Sequence, residues 1–230
     1  MEFLTFQMER EHFSFSQFIT PDFGKRFTIM MISVLFMGVF ASILVEVGWG
    51  TDPASFMNLN ISNVIHLSLG TTEVIVYGIM LIFVILFGIK NIGFGTLANM
   101  ILIGYIIDFC RFCWVKTGIH TLINSGSFVI KLTFFIGSLL LFVISCSFYI
   151  NAKLGVAPYD AIPQIISKHL PKVPFAIIRI FFDLSALAIG FIFSLFSKDG
   201  MQGSIIGSFI MSLLLGPTVS TVGKMLKIQN

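Results

Sequence analysis

The stretch FTIMMISVLFMGVFASILVEVGW, residues 27–49, decides the class of fold because Glu46 is the one ionisable residue in it. A helix rises about 1.5 Å per residue, so this run can cross the ~30 Å apolar core of a bilayer. Five similar runs follow, at residues 71–89, 92–110, 127–150, 173–197 and 201–222. The sequence therefore predicts an all-α membrane protein with six transmembrane helices.

The composition favours the same class of protein. Hydrophobic residues make up 56% of the chain and charged residues 11%, whereas soluble domains contain roughly 25% charged residues. The net charge of +3 comes without a basic patch interleaved with aromatic residues, so we expect no nucleic-acid partner. No motif of a hydrolase, a nucleotide-binding loop or a zinc protease is present, and we expect no enzyme activity and no cofactor. The lipid bilayer is the expected partner.

The distribution of basic residues predicts the orientation, because loops rich in Lys and Arg stay in the cytoplasm. Four basic residues fall on the far side and one, Arg179, lies within a span. Nine fall on the N-terminal side: Arg10, Lys25, Arg26, Lys90, Lys153, Lys168, Lys172, Lys224 and Lys227. We therefore expect a multi-pass protein of the bacterial inner membrane with both termini in the cytoplasm. Residues 1–26 would form an amphipathic or flexible arm, and residues 224–230 a tail.

The order of parts occurs twice along the chain. Gly50-Thr51-Asp52-Pro53 follows the first span, and Gly155-Val156-Ala157-Pro158 follows the fourth. After each comes a short segment that is too polar or too short to span, then a long apolar run. A small-residue pair then opens the closing run, Gly95-Thr96 in one half and Gly203-Ser204 in the other.

Two halves with three spans each lie upside down relative to one another in a bilayer. The sequence thus predicts an inverted repeat of residues 27–115 and 127–223, joined by an extracytoplasmic connection at 116–126. Gly is conformationally permissive and Pro suits the first turn of a helix, so broken or re-entrant helices are expected after Pro53 and Pro158. The alternative is a duplication without a transport role, in which Gly50 and Gly155 simply end helices.

Ionisable residues within spans are the first candidates for a site, because each costs on the order of 3 kcal/mol to insert. Arg179 and Asp183 are spaced i, i+4 in the fifth span and can form an ion pair. This pair either fastens the helix to its neighbours or contacts a solute or a coupling proton. An alignment of the two halves matches the pair with Tyr77 and Leu81.

Four more acidic residues are candidates for the same cavity. Asp52 and Asp160 lie beside prolines, where they can cap short helices or face a cavity. Glu46 and Asp108 lie in spans, and Asp108 can pair with Arg111 at i, i+3. His66 and Glu73 are expected to face water in the outer connection.

The cysteine pair and the small residues of the last span give weaker predictions. Cys110 and Cys113 form a Cys-x-x-Cys that can be redox-active or bind metal, but no further ligand stands at suitable spacing, so we expect packing residues and no metal site. The small residues Gly203, Gly207 and Ser208 allow close helix packing, as in a homo-oligomer or with a partner membrane subunit.

Four motifs within residues 30–222 belong together. They are Gly93-Phe94-Gly95-Thr96-Leu97-Ala98-Asn99 leading to Gly104 and Asp108, Gly155-Val156-Ala157-Pro158-Tyr159-Asp160, Arg179-Ile180-Phe181-Phe182-Asp183, and Gly203-Ser204 running to Gly216-Pro217. With these motifs the chain resembles the bacterial YczE/YyaS/YitT family of membrane proteins, most closely its YczE-like branch. The resemblance implies a six-span inner-membrane protein without a settled activity. Two positions depart from the usual family pattern, since Ala157 replaces a Gly and Asp183 replaces a Glu.

The inverted repeat, the helix breaks and the charges within the fifth span together favour a transporter. Its substrate would be a small polar or charged solute that passes through a cavity between the halves. The alternative is a substrate-capturing or assembly subunit of a larger membrane complex, without transport activity of its own.

Overall fold

The computed structural model describes residue 19 and residues 21–213, and within these residues all regular elements are helices. A ninth helix, α9, begins at residue 205 and is helical to residue 213. A short 3-10 turn at Ile89–Asn91 joins the third and fourth helices. The first eight helices are α1 (Phe23–Val47), α2 (Pro53–Ile65), α3 (Leu69–Phe87), α4 (Phe94–Thr117), α5 (Ile119–Asn124), α6 (Phe128–Asn151), α7 (Pro158–His169) and α8 (Phe175–Ser194).

Five of these helices are long and apolar enough to cross a membrane, namely α1, α3, α4, α6 and α8. They match the first five predicted spans to within a few residues at most ends. The sixth predicted span, 201–222, coincides with α9 up to residue 213, and its remainder lies outside the described residues. The predicted tail and residues 1–18 and 20 of the N-terminal arm lie outside them as well.

The surface of the bundle is apolar in the way that a bilayer requires. Ile79, Phe109 and Phe181, on α3, α4 and α8, are 65%, 67% and 69% exposed. In water such side chains would form large apolar patches, whereas lipid solvates them. The chain is therefore a polytopic helical membrane protein.

The two short helices begin where the Gly-x-x-Pro elements predict a break. Gly50 and Gly155 have φ of 141° and 95°, which favour glycine, and Pro53 and Pro158 lie in the first turns of α2 and α7. With 13 and 12 residues, these helices are about 20 Å long or less, which is shorter than a bilayer core. Neither short helix is therefore long enough to cross the bilayer by itself.

Each short helix packs mainly on a long helix from the other half of the chain. α2 packs on α8 more extensively than on α3, and α7 packs on α3 more extensively than on α8. The first long helices of the two halves, α1 and α6, pack against each other. The two halves are therefore interlocked.

The segments before α2 and α7, where the chain breaks, contact α9 and α4, the closing helices of the two halves. The Gly95 N–H donates to the Leu154 carbonyl at 2.7 Å, and the Thr51 N–H donates to Ser208 Oγ at 3.0 Å. A Cβ added to Gly207 would stand 1.6 Å from the Trp49 carbonyl oxygen, so only glycine fits there. Gly207 and Ser208 thus make a close helix contact within the chain, one turn after the predicted Gly203-Ser204 opening.

Candidate functional site

A cavity of about 540 Å³ lies between the two halves of the chain. Its volume is within the roughly 300–1,000 Å³ of ligand pockets. Four of the six predicted acidic or basic site residues line it, namely Asp52, Asp160, Arg179 and Asp183. The wall is otherwise largely apolar and aromatic, with Met37, Ile103, Phe142, Val156 and Phe175 among its residues.

Arg179 is the centre of the charged network in this cavity. Its Nε lies 3.1 Å from Asp183 Oδ2, which confirms the predicted i, i+4 pair. Its Nη1 lies 2.6 Å from Asp160 Oδ1, and its guanidinium carbon lies 5.2 Å from the centroid of the Tyr159 ring. The guanidinium therefore joins α8 to the first turn of α7 through two ion pairs and a cation–π contact.

Asp183 is held by a second contact that its sequence spacing did not predict. The Tyr159 hydroxyl donates to Asp183 Oδ1 at 2.8 Å, and Asp183 is 2% exposed. Both carboxylate oxygens are thus engaged, one by Tyr159 and one by Arg179. A buried charge with this many partners is tolerated in a low dielectric.

Asp52 and Asp160 both lie at the start of a short helix, but their carboxylates have different partners. Asp52 is the N-cap of α2, where its Oδ1 accepts from the Ser55 N–H at 3.0 Å, as predicted. Asp160 does not cap: the N-cap of α7 is Ala157, and the Asp160 carboxylate pairs with Arg179. No ion pair holds Asp52 within the described residues, and burial raises the pKa of its carboxyl above the usual value.

Glu73 is the site residue that the sequence misplaced. We expected it to face water, but it lies in α3, is 5% exposed and lines the cavity. A Cβ added to Gly104 of α4 would stand 2.6 Å from Glu73 Oε2, so the carboxylate lies against the α3–α4 contact. Gly70, Glu73 and Tyr77 share one helix face at i, i+3 and i+7, and this spacing is the signal that could have indicated its burial.

The other two predicted cavity residues lie elsewhere, which corrects their assignment. Glu46 accepts from Arg111 Nε at 2.8 Å and contacts His120 Nδ1 at 2.5 Å, so it joins α1 to α4 and α5. Asp108 Oδ2 accepts from the Gly70 N–H at 2.8 Å, in the first turn of α3. Arg111 therefore pairs with Glu46 and not with Asp108 as predicted.

A second cavity of about 350 Å³ lies at the opposite end of α2. His66, which is exposed as expected, lines it together with Ser62, Asp108 and Arg111. This second cavity, which we call the outer cavity because it lies on the side that the sequence predicts to face outward, is polar. The cavity between the halves combines charge with apolar walls.

The cysteines show neither a disulfide nor a metal centre within the described residues. Cys110 is buried, Cys113 is partly buried, and both are free thiols. No group of three His, Cys, Asp or Glu side chains in the part of the chain that the structure describes comes close enough to hold a metal ion. Cys146 is also free, and it lines the cavity between the halves.

The fold and the cavity define a polytopic α-helical membrane protein with an internal, ionisable site. The chain belongs to the family described as "Family of unknown function (DUF6198)", whose model matches residues 24–224. No curated protein and no solved structure matches the chain.

Proposed function

We propose that this protein binds a small polar or charged solute in the cavity between its halves and moves it across the membrane. The observation that carries the proposal is the buried network of Asp160, Arg179 and Asp183 on the cavity wall. Arg179 and Asp183 are the fifth and ninth residues of α8, so they lie about 6 and 12 Å along it. Charges at such depth in a span are costly, and solute and ion pathways are among the functional sites that they mark.

We infer that the two halves form an inverted repeat, and the packing of the short helices supports this. A twofold exchange of the halves converts the α2–α8 contact into the α7–α3 contact, and the structure has both. Counted from the helix starts, Glu73 of α3 corresponds to Arg179 of α8, and Tyr77 corresponds to Asp183. This shifts the sequence alignment, which matched Arg179 with Tyr77, by one turn.

The first turns of α2 and α7 also favour a transporter. Ser55 and Asp160, in these two first turns, both line the cavity. In inverted-repeat transporters, discontinuous helices bring their ends to the solute in the same way. The backbone before α2 and α7 is not helical, and membrane-spanning folds tolerate such backbone where it faces protein or a water-filled cavity.

The outer cavity favours movement over mere capture. Ser55 lines the cavity between the halves and Ser62 lines the outer cavity, two turns apart on one face of α2. Asn58 stands between them, is 1% exposed, and neither side-chain polar atom has a partner among the described residues. A polar face that links two cavities suits a route, whereas a capture subunit of a larger complex needs only one opening.

The membrane and the orientation belong to the same proposal. Asn151, the last residue of α6, and Phe175, the first residue of α8, lie on the N-terminal side and line the cavity between the halves. With both termini in the cytoplasm of the bacterial inner membrane, this cavity opens to the cytoplasm. The resemblance to the YczE-like branch fits this arrangement and stays a prediction.

Cys146 offers a direct test of an aqueous cavity. In a Cys110→Ser/Cys113→Ser background, Cys146 is the single thiol of the chain. We expect a membrane-impermeant methanethiosulfonate reagent to label it in inverted vesicles more readily than in right-side-out cells. Reagents that label Cys146 only after unfolding in SDS, although they label the cytoplasmic position Lys172→Cys in folded protein, would exclude an accessible cavity and overturn the proposal.

A further inference from the structure

The charges on the cavity wall do not balance. Among the described residues that line the cavity, Arg179 is the one basic residue, and it is already paired with Asp160 and Asp183. Asp52 and Glu73 face the same cavity without an ion pair to any described residue. The wall therefore carries an excess of carboxylate over guanidinium.

Glu73 is the less satisfied of these two carboxylates. Asp52 accepts a backbone hydrogen bond from Ser55, whereas the Glu73 carboxylate makes no hydrogen bond or ion pair within the described residues. Its charged neighbours, Asp52 and Asp108, are acidic and repel it. Glu73 is 5% exposed and lines the cavity, so a cation, a proton or cavity water has to supply the partner that the described residues do not.

The surroundings of Glu73 indicate the kind of cation. Tyr77, one turn further along α3, lines the cavity beside Glu73, and its ring centroid lies 6.5 Å from that of Tyr159. Aromatic faces attract organic cations, while the apolar wall holds their carbon atoms. A bare metal ion would need several oxygen ligands close together, which this wide and apolar wall does not supply.

The relation between the halves explains how an acidic position arose here. In the second half, Arg179 pairs with Asp160; the corresponding places in the first half hold Glu73 and Ser55. The internal cation of one half is thus replaced by an acid in the other, and the acid lacks the internal partner that Arg179 has.

We propose that the solute is an organic ammonium or related organic cation, whose positive charge the Glu73 carboxylate holds beside the Tyr77 ring. This inference rests on the proposed function, since it names the class of solute for the same cavity. Cation and proton would compete for Glu73, with Tyr77 on α3, Asp52 before α2, Asp108 on α4 and Tyr159 on α7 as the neighbouring titratable groups.

Two reagents of opposite charge and one soluble probe test this in the Cys146 single-thiol background. We expect the cationic trimethylammonium-ethyl methanethiosulfonate to label Cys146 faster than the anionic sulfonatoethyl reagent, after each rate is divided by its rate on a free thiol. Tetraethylammonium should protect Cys146 from labelling, and Glu73→Gln should weaken that protection about tenfold, as the loss of one close charge implies.

Matched variants separate the outcomes. Glu73→Gln keeps the shape of the side chain and removes an unpaired charge, so it should fold at least as stably as the unaltered chain. Asp199→Asn removes an exposed carboxylate in the loop after α8 and should leave protection unchanged. Asp52→Asn keeps an N-cap residue while removing charge from the wall, and it should weaken protection less than Glu73→Gln does.

Three results would overturn the organic-cation assignment: preference for the anionic reagent, no protection by tetraethylammonium, or equal protection in the Glu73→Gln variant. Each of these leaves the proposed function standing as long as Cys146 is labelled in folded protein. A Cys146 that reacts with neither reagent unless the chain is unfolded overturns the proposed function itself.

Discussion

Arg179 contacts two carboxylates and one aromatic ring, so its removal and the removal of its partners have unequal effects. Arg179→Met leaves Asp183 buried at 2% exposure with no cation beside it. Breaking a buried pair on one side costs about 3–5 kcal/mol, whereas replacing both partners by apolar residues of similar size is often neutral.

We therefore expect Arg179→Met to lower Tm in nanodiscs far more than the double variant Arg179→Met/Asp183→Leu does. The double variant should fold and lose the protection of Cys146 by tetraethylammonium, because the network also shapes the cavity wall. If the double variant kept the full protection, the charged pair would have a structural role only, and other residues would carry the binding.

Glu46 supports the fold at the C-terminal end of α1. Because it holds both Arg111 and His120, Glu46→Gln should lower the free energy of unfolding by about 1–3 kcal/mol. Chemical or thermal unfolding in detergent measures this, with the exposed Asp199→Asn as a control within about 0.5 kcal/mol of the unaltered chain. Equal effects of the two variants would argue against a stabilising contact at Glu46.

The misplacement of Glu73 shows where residue-level prediction from sequence ends. Glu73 is the third residue of the predicted run 71–89 and lies next to a polar loop, where charges commonly face water. The spacing of Gly70, Glu73 and Tyr77 indicates a shared helix face only once the helix is known to begin before Gly70. What buries Glu73 is a tertiary contact, the close approach of α4 at Gly104, and no local spacing encodes which helix comes near. The ion pair of Arg179 and Asp183 was predictable because the two residues are one turn apart on the same helix.

At the scale of the elements, glycines set how closely the breaks approach the closing helices. A Cβ at Gly95 would stand 2.6 Å from the Gly155 carbonyl oxygen, and one at Gly207 would be closer still to the Trp49 carbonyl. Gly137, in the middle of α6, has no atom within 4 Å of its added Cβ. All three glycines lie in helices, and they differ in what an added Cβ would meet.

We expect Gly95→Ala and Gly207→Ala each to destabilise the protein by about 3 kcal/mol, because backbone must move to make room. Gly137→Ala should leave stability unchanged or raise it by up to about 1 kcal/mol, since Ala favours a helix. Thermal unfolding of the three variants in one detergent decides this. A Gly207→Ala protein as stable as the Gly137→Ala protein would show that the break does not touch α9.

The helices themselves were largely predictable, and their partners were not. Long apolar runs marked five spans, and Gly with Pro marked the starts of α2 and α7, because both signals are local. The packing of α2 on α8 joins residues more than 100 positions apart. Only the internal repeat indicated that the halves pack on each other, and it did not predict which residues of α2 and α8 meet.

At the scale of the whole molecule, the orientation in the membrane is open to direct measurement. In a chain with all three cysteines replaced by Ser, Thr121→Cys on α5 and Lys172→Cys before α8 are both exposed. Because basic residues predict cytoplasmic termini, an impermeant thiol reagent added to intact cells should label Thr121→Cys and leave Lys172→Cys unlabelled. The reverse pattern would show that the protein is inserted the other way up.

The interlocking of the halves also sets an order of events during synthesis. α2 ends at Ile65 and α8 begins at Phe175, so the ribosome adds about 110 residues before the main partner of α2 exists. Until then α2, with its buried Asn58 and Asn60, has only α3 and the growing chain for cover. The first half therefore stays incompletely packed in the membrane until α8 is inserted. A chain truncated before α8 would keep α2 without its main partner, and we expect membrane proteases to degrade it.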